Sequence, residues 1–191
     1  MSSRLVCAFV ASILTGGLFI SVSAQTKGTP EKYDATAVNM GSGPGMAGRV
    51  LLSVERWTTA KEREDLLRVF KEKGSDKLLD ALIDMPKAGY IRFPNTLAWD
   101  LRYAYETPLP EGGRRVVLVT DRPISGREAV NQPRTTDYPY TLIEIRFPKS
   151  GVGVGKMSVA TKITMSKDNQ TMELENYGIE PVRLTEVRIE K

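Results

Sequence analysis

The residues able to do acid–base or ionic chemistry in this chain fall in two places. Asp121, Glu128 and Asp137 share one charged segment, 121–139, with Arg122 and Arg134. Two carboxylates flanking a glycosidic bond can act as acid and as base or nucleophile, and a connection this long inside a compact domain is often functional. The segment therefore reads as a binding lid or a carboxylate pair. The competing reading is a plain strand connection with one helical turn. The second place is a set of charged residues spaced to share one face of a sheet, namely Arg92, Asp100, Arg102, Glu106, Glu144 and Arg146. On a concave sheet these would converge into a polar pocket whose arginine forks suit a carboxylate or a sugar. On an open face the same residues make only cross-strand ion pairs, each worth little. The expected ligand-binding residues are Arg92, Asp100, Arg102, Asp121, Arg122, Glu128, Glu144 and Arg146, with no catalytic residue and no metal ligand among them.

What the chain lacks narrows the chemistry further. It has no histidine and a single cysteine, Cys7, which lies in an apolar run near the N-terminus. That run, from Leu5 to Ile20, follows Arg4 and precedes Ser21-Val22-Ser23-Ala24. It has the charged start, apolar core and small-residue end of a secretory signal, and it is short for a membrane span. Residues 1–24 are thus expected to be a cleaved signal peptide, leaving a secreted or periplasmic chain that starts at Gln25, without stable membrane insertion. Such a chain has neither thiol nor imidazole, so Cys/His zinc sites, Cys–His nucleophiles and Ser-His-Asp triads are excluded. No cofactor is expected.

Gly151-Val152-Gly153-Val154-Gly155-Lys156-Met157-Ser158 has the look of a phosphate-binding loop. The Walker pattern would need glycine where Ser150 stands and a hydroxyl residue where Met157 stands, with a helix to follow. Strand-like alternation lies on both sides instead, so the stretch reads as a hairpin turn entering a strand. The formal net charge of +4, with no lysine-rich block, also gives no nucleic-acid footprint.

The elements that must position these residues are read from periodicity. Residues 25–47, rich in Gly, Pro, Ser and Thr, read as a flexible leader, and 48–191 as a single domain. A first strand runs to Trp57, and Thr59 with Glu62 has capping-box spacing for a helix. That helix ends at Gly74, and a second runs from Ser75 to Pro86, making a helical hairpin. From Tyr90 the period becomes two. Leu97, Trp99, Leu101, Tyr103 and Tyr105 share one face, with Asp100, Arg102 and Glu106 on the other. Further strands follow around 115–120, 140–147, 156–165 and 172–175. In a last strand, Val182 to Ile189, the apolar Val182 and Leu184 are out of phase with Val187 and Ile189, which predicts a bulge. The fold class expected is α+β, a curved antiparallel meander sheet of about seven to eight strands with the N-terminal helical hairpin packed on it.

Several segments, GYIRFPNTLAWDLRYA, VVLVTDRPIS, DYPYTLIEIRF, GKMSVATKI and ELENYGIEPVRLTEV, together resemble a family of exported bacterial proteins with no assigned activity. The resemblance implies export and carries no catalytic residues. The function expected is a non-enzymatic binding domain for a small molecule, a glycan or an envelope protein. A carboxylate-dependent glycan hydrolase and a structural envelope protein are the alternatives.

Overall fold

The computed structural model describes residues 28–38, 47–124, 139–165, 172–176 and 181–190. Nine strands and two helices follow in the order β1 (Glu31–Val38), β2 (Ala47–Val54), α1 (Ala60–Lys73), α2 (Ser75–Asp84), β3 (Gly89–Arg92), β4 (Trp99–Pro108), β5 (Arg114–Thr120), β6 (Tyr140–Phe147), β7 (Gly153–Met165), β8 (Met172–Asn176) and β9 (Val182–Glu190). All pairings are antiparallel, and the order β6-β5-β4-β3-β2-β1-β9-β7 closes on itself because β6 also pairs with β7. Eight strands thus form a closed barrel, while β8 pairs with the far half of β7.

Closure overturns the expected α+β open, curved sheet. The stave that closes the ring is β1, which lies in the segment read as a flexible leader. Its alternation is real but written in small residues. Tyr33, Ala35 and Ala37 are buried, while Lys32 is exposed and Asp34 and Thr36 are half-buried. Two alanines give little hydropathic contrast, and the flanking Gly and Pro residues hide what remains. β1 pairs with β2 along its whole length and with β9 on the other side, so the first and last strands of the described chain are neighbours.

The lumen is filled. Tyr33, Leu52, Ile91, Leu101, Leu118, Ile143, Ile145, Met157 and Leu184 are fully buried and belong to one core cluster spanning the ring. An eight-stranded ring is just wide enough for inward side chains to fill. Gly153 and Gly155 make room for their neighbours. A Cβ on Gly155 would come within 2.6 Å of the Glu144 carbonyl oxygen, and one on Gly153 within 2.8 Å of the Phe147 ring. The glycine-rich stretch is therefore a turn and strand start, as its flanks predict. Gly151 occupies the left-handed region at φ +93°, and its N–H donates to Pro148.

The two helices lie on the outside of the wall. Thr59 caps α1 in a complete capping box with Glu62. Leu66, Phe70, Leu78, Leu82 and Met85 pack with Val119 and Tyr140 in a second apolar cluster, joined by half-buried Tyr103, Val117 and Leu142. The helices are short, and the fold is mostly sheet.

Bulges in β9 and β4 set which residues of those strands face inward. In β9 the register with β1 shifts next to Glu186, which has φ +53°, so Leu184 and Val187 both face the core. This is the bulge that the phase slip predicts. In β4 the register with β5 shifts between Leu101 and Tyr103. Before it Leu101 points inward; after it Ala104 does, opposite Leu118. Tyr103 joins the cluster under the helices instead. A one-residue slip moves every later side chain to the other face, so the single aromatic face read through Leu97 to Tyr105 is divided between lumen and exterior.

Candidate functional site

Closure of the barrel decides where the candidate residues go. Asp100, Arg102, Glu144 and Arg146 face outward, on the convex side of the barrel, so no concave sheet gathers them. Asp100 pairs with Lys87, Nζ to Oδ1 2.8 Å. Arg102, in the bulge, donates from Nε to Asp121 Oδ2 at 2.9 Å and from its guanidinium to the Met85 carbonyl at 3.2 Å. Arg122 donates from Nε to the other oxygen of Asp121 at 3.0 Å. Arg102, Asp121 and Arg122 are thus brought together where β5 ends.

The Asp121 side chain is only 5% exposed. Burial alone would raise its pKa, but hydrogen bonds from Arg122 and Arg102 outweigh burial and hold it below the usual carboxylate range. A carboxyl so held stays ionised at neutral pH, and both its oxygens already accept from arginine. It is poorly placed to be a general acid. Glu128 and Asp137, the other acids of that segment, lie outside the described residues.

Glu144 and Arg146 form a separate pair on β6, Nε to Oε1 2.7 Å. Arg146 stands opposite Arg115 near the start of β5, whereas Asp121 follows the end of that strand. Six residues at about 3.3 Å each put the two places roughly 20 Å apart. Arg92 is elsewhere again, exposed on β3 opposite Leu51. It makes no hydrogen bond or ion pair among the described residues, and it lines a shallow external cleft of about 530 Å³ with Leu51, Phe93 and Glu190. The expected residues therefore occupy three separate outer positions: Arg92; Asp100 with Arg102, Asp121 and Arg122; and Glu144 with Arg146.

A charged cluster that the sequence reading missed lies on the lumen side. After the bulge Glu106 faces inward with Ala104, and Arg114 stands opposite Phe147 at the start of β5. The Arg114 guanidinium spans two carboxylates, with Nη1 2.6 Å from Glu106 Oε2 and Nη2 2.6 Å from Glu31 Oε2. It lies over the Phe147 ring, 5.3 Å from the centroid. Tyr33 donates its hydroxyl to Glu31 Oε2 at 2.6 Å. Burial would lower the Arg114 pKa, but the hydrogen bonds to Glu31 and Glu106 more than reverse this and raise it. Burial, reinforced by the neighbouring Glu31, raises the Tyr33 phenol.

The cluster caps one mouth of the apolar lumen. Both carboxylates are committed to one guanidinium, which leaves neither free to pair with the other as acid and base. The signal that could have found it is the period of β1, which puts Glu31 in phase with Tyr33, Ala35 and Ala37.

Among the described residues no group of three or more acidic, Cys or His side chains is arranged to hold a metal ion, and no helix is long and apolar enough to cross a membrane. No model of a known protein family, no curated protein and no solved structure matches this chain.

Proposed function

We propose that this chain is an exported binding domain that uses its barrel as a rigid scaffold and meets its partner, a glycan or an envelope protein, on the outer wall. The filled lumen is the observation that carries this reading. A barrel that carries a small ligand inside needs an empty chamber, whereas here the inward side chains of all eight staves occupy that space. Polarity supports the same conclusion. A membrane-spanning barrel is apolar outside and polar within; this barrel is apolar within and carries Asp34, Arg49, Arg92, Arg146 and Lys156 on its outer wall. The resemblance to exported bacterial proteins and the signal-like N-terminus agree with a partner in the cell envelope.

The hydrolase alternative loses its motivation at Asp121, which two arginines hold ionised. The test pairs two titrations of the purified chain by calorimetry. Brominated fatty acids should give no saturable binding and no quenching of the core Trp57. Envelope glycans and envelope extracts should give saturable binding. One-to-one uptake of the fatty acid with Trp57 quenching would show a lumenal site and overturn the proposal.

A further inference from the structure

The register of the outer wall places like charges against each other in two ladders, with only the β6–β7 pairing between them. Arg115 of β5 stands directly opposite Arg146 of β6, and Lys156 of β7 stands directly opposite Arg183 of β9. The strands β5, β6, β7 and β9 are consecutive around the barrel, so the two pairs belong to one surface. Like charges directly opposite in an antiparallel pair oppose folding, and two such pairs on one wall call for a compensating partner.

The acids nearby do not supply it. Glu144, which stands between Val117 and Lys156, is taken by Arg146. Lys156 and Arg183 are exposed and make no hydrogen bond or ion pair among the described residues. The Arg115 Nε is buried with no hydrogen-bond partner among them. Among the described residues of these strands, about 4.8 Å apart, four cations therefore face one acid, with Glu111 of the turn before β5 adding only a weaker attraction to Arg146.

We propose that this wall binds an acidic polysaccharide, a chain bearing carboxylate or sulfate groups, laid across β5, β6, β7 and β9. The proposal rests on the outer-wall reading above and names the partner's chemistry. The surface fits such a chain better than the other polyanions. Single-stranded nucleic acid is held by aromatic side chains interleaved with cations, and among the described residues the array exposes no aromatic side chain, Tyr140 of β6 being buried under the helices. A peripheral membrane site needs a continuous apolar face beside its cations, whereas the exposed large apolar residues described on these strands are Val154, 57% exposed on β7, and Ile189, 44% exposed near the end of β9, which do not make one. What remains is a row of cations on a stiff, convex sheet, suited to successive anionic groups of an extended chain.

The test is calorimetry of the purified chain with polygalacturonate and with dextran sulfate. Neutral dextran, a single-stranded oligonucleotide and anionic phospholipid vesicles complete the panel. At least one acidic glycan should bind, neutral dextran should not, and affinity should fall about 10-fold or more between 50 and 200 mM salt. Replacing both exposed cations, Lys156→Gln with Arg183→Gln, should weaken glycan binding about 10-fold or more and flatten the salt dependence by about two counterions. The same charge loss on the helices, Lys61→Gln with Lys77→Gln, should change it less than about 2-fold, and an unchanged melting curve would show that the wall variant is folded.

Glycan binding indifferent to the wall variant would overturn this proposal and leave the outer-wall reading standing. Tighter binding of the oligonucleotide or the vesicles would overturn it in favour of that other polyanion. Binding to no acidic glycan overturns it as well; the outer-wall reading then falls too only if envelope extracts also give no saturable binding.

Discussion

Replacing Arg114 by methionine tests the most consequential contact in the barrel. The substitution keeps an unbranched, flexible side chain over Phe147 but removes the cation shared by Glu31 and Glu106. The three side chains are 24, 22 and 33% exposed, so the loss lies between two limits. Breaking a fully buried pair costs about 3–5 kcal/mol because a charge is left uncompensated, while exposed pairs are worth about 0–1 kcal/mol. An intermediate burial with two carboxylates left facing each other gives about 2 kcal/mol. Losing the cation over the Phe147 face adds about 0.5–1 kcal/mol. At about 2–4 °C per kcal/mol for a domain of this size, the melting temperature should fall by about 5–10 °C at neutral pH, measured by circular dichroism. Adding Glu106→Gln to the methionine variant should restore part of the loss, since one unpaired charge is then gone. The resulting double-mutant cycle should show a coupling of about 1 kcal/mol or more. A fall of less than about 2 °C, or a coupling near zero, would refute the assignment of β1 and Arg114 to the same barrel mouth.

Three further outcomes are expected. Gly89→Ala should destabilise by about 3 kcal/mol or more, read in urea melts, because the new Cβ would lie 1.9 Å from the Ser53 carbonyl oxygen, a backbone atom that the β2–β3 pairing holds in place. Asp121 has a lowered pKa in the fold, so its contribution is present above the unfolded value near 4 and is lost as pH falls through the folded value. Asp121→Asn should therefore cost about 1–3 kcal/mol at pH 7, and the gap to the parent should close below about pH 4; an unchanged gap at pH 2–3 would contradict this. Spectrophotometric titration should show late phenols, with Tyr103 pushed up to about 12 by burial and Tyr33 held neutral still further. Raised values favour the folded state below the unfolded pKa near 10, and that stabilisation is lost as pH rises through the folded values. Ionisation of all the tyrosines near pH 10 in the folded chain would contradict their burial.

The particular residues show why some features were legible in the chain and others were not. The capping box at Thr59, the turn at Gly151 and the bulge near Glu186 all rest on interactions within a few residues, and each is present as read. The β9 bulge was visible because apolar Leu184 and Val187 bracket it. The β4 bulge was not, because Tyr103 and Tyr105 continue the apparent alternation after Leu101 while facing the helices instead of the lumen. That one slip moved Glu106 inward and spoiled the polar face on which the expected site depended. Arg92, Asp100, Arg102, Glu144 and Arg146 do lie outside, but outside a closed barrel is convex, so they disperse.

By itself the sequence determined the local periods, the caps and turns, and the absence of imidazole and of any thiol beyond Cys7, because these depend on residue type and near neighbours alone. Only the tertiary structure decided that the sheet closes, that the segment containing Glu31 is a stave, and that Arg115 faces Arg146 while Lys156 faces Arg183. Those are matters of register between strands, most consequentially between β1 and β9 at opposite ends of the chain. Nothing in either segment alone specifies its partner; the pairing follows from burying one continuous core around the ring.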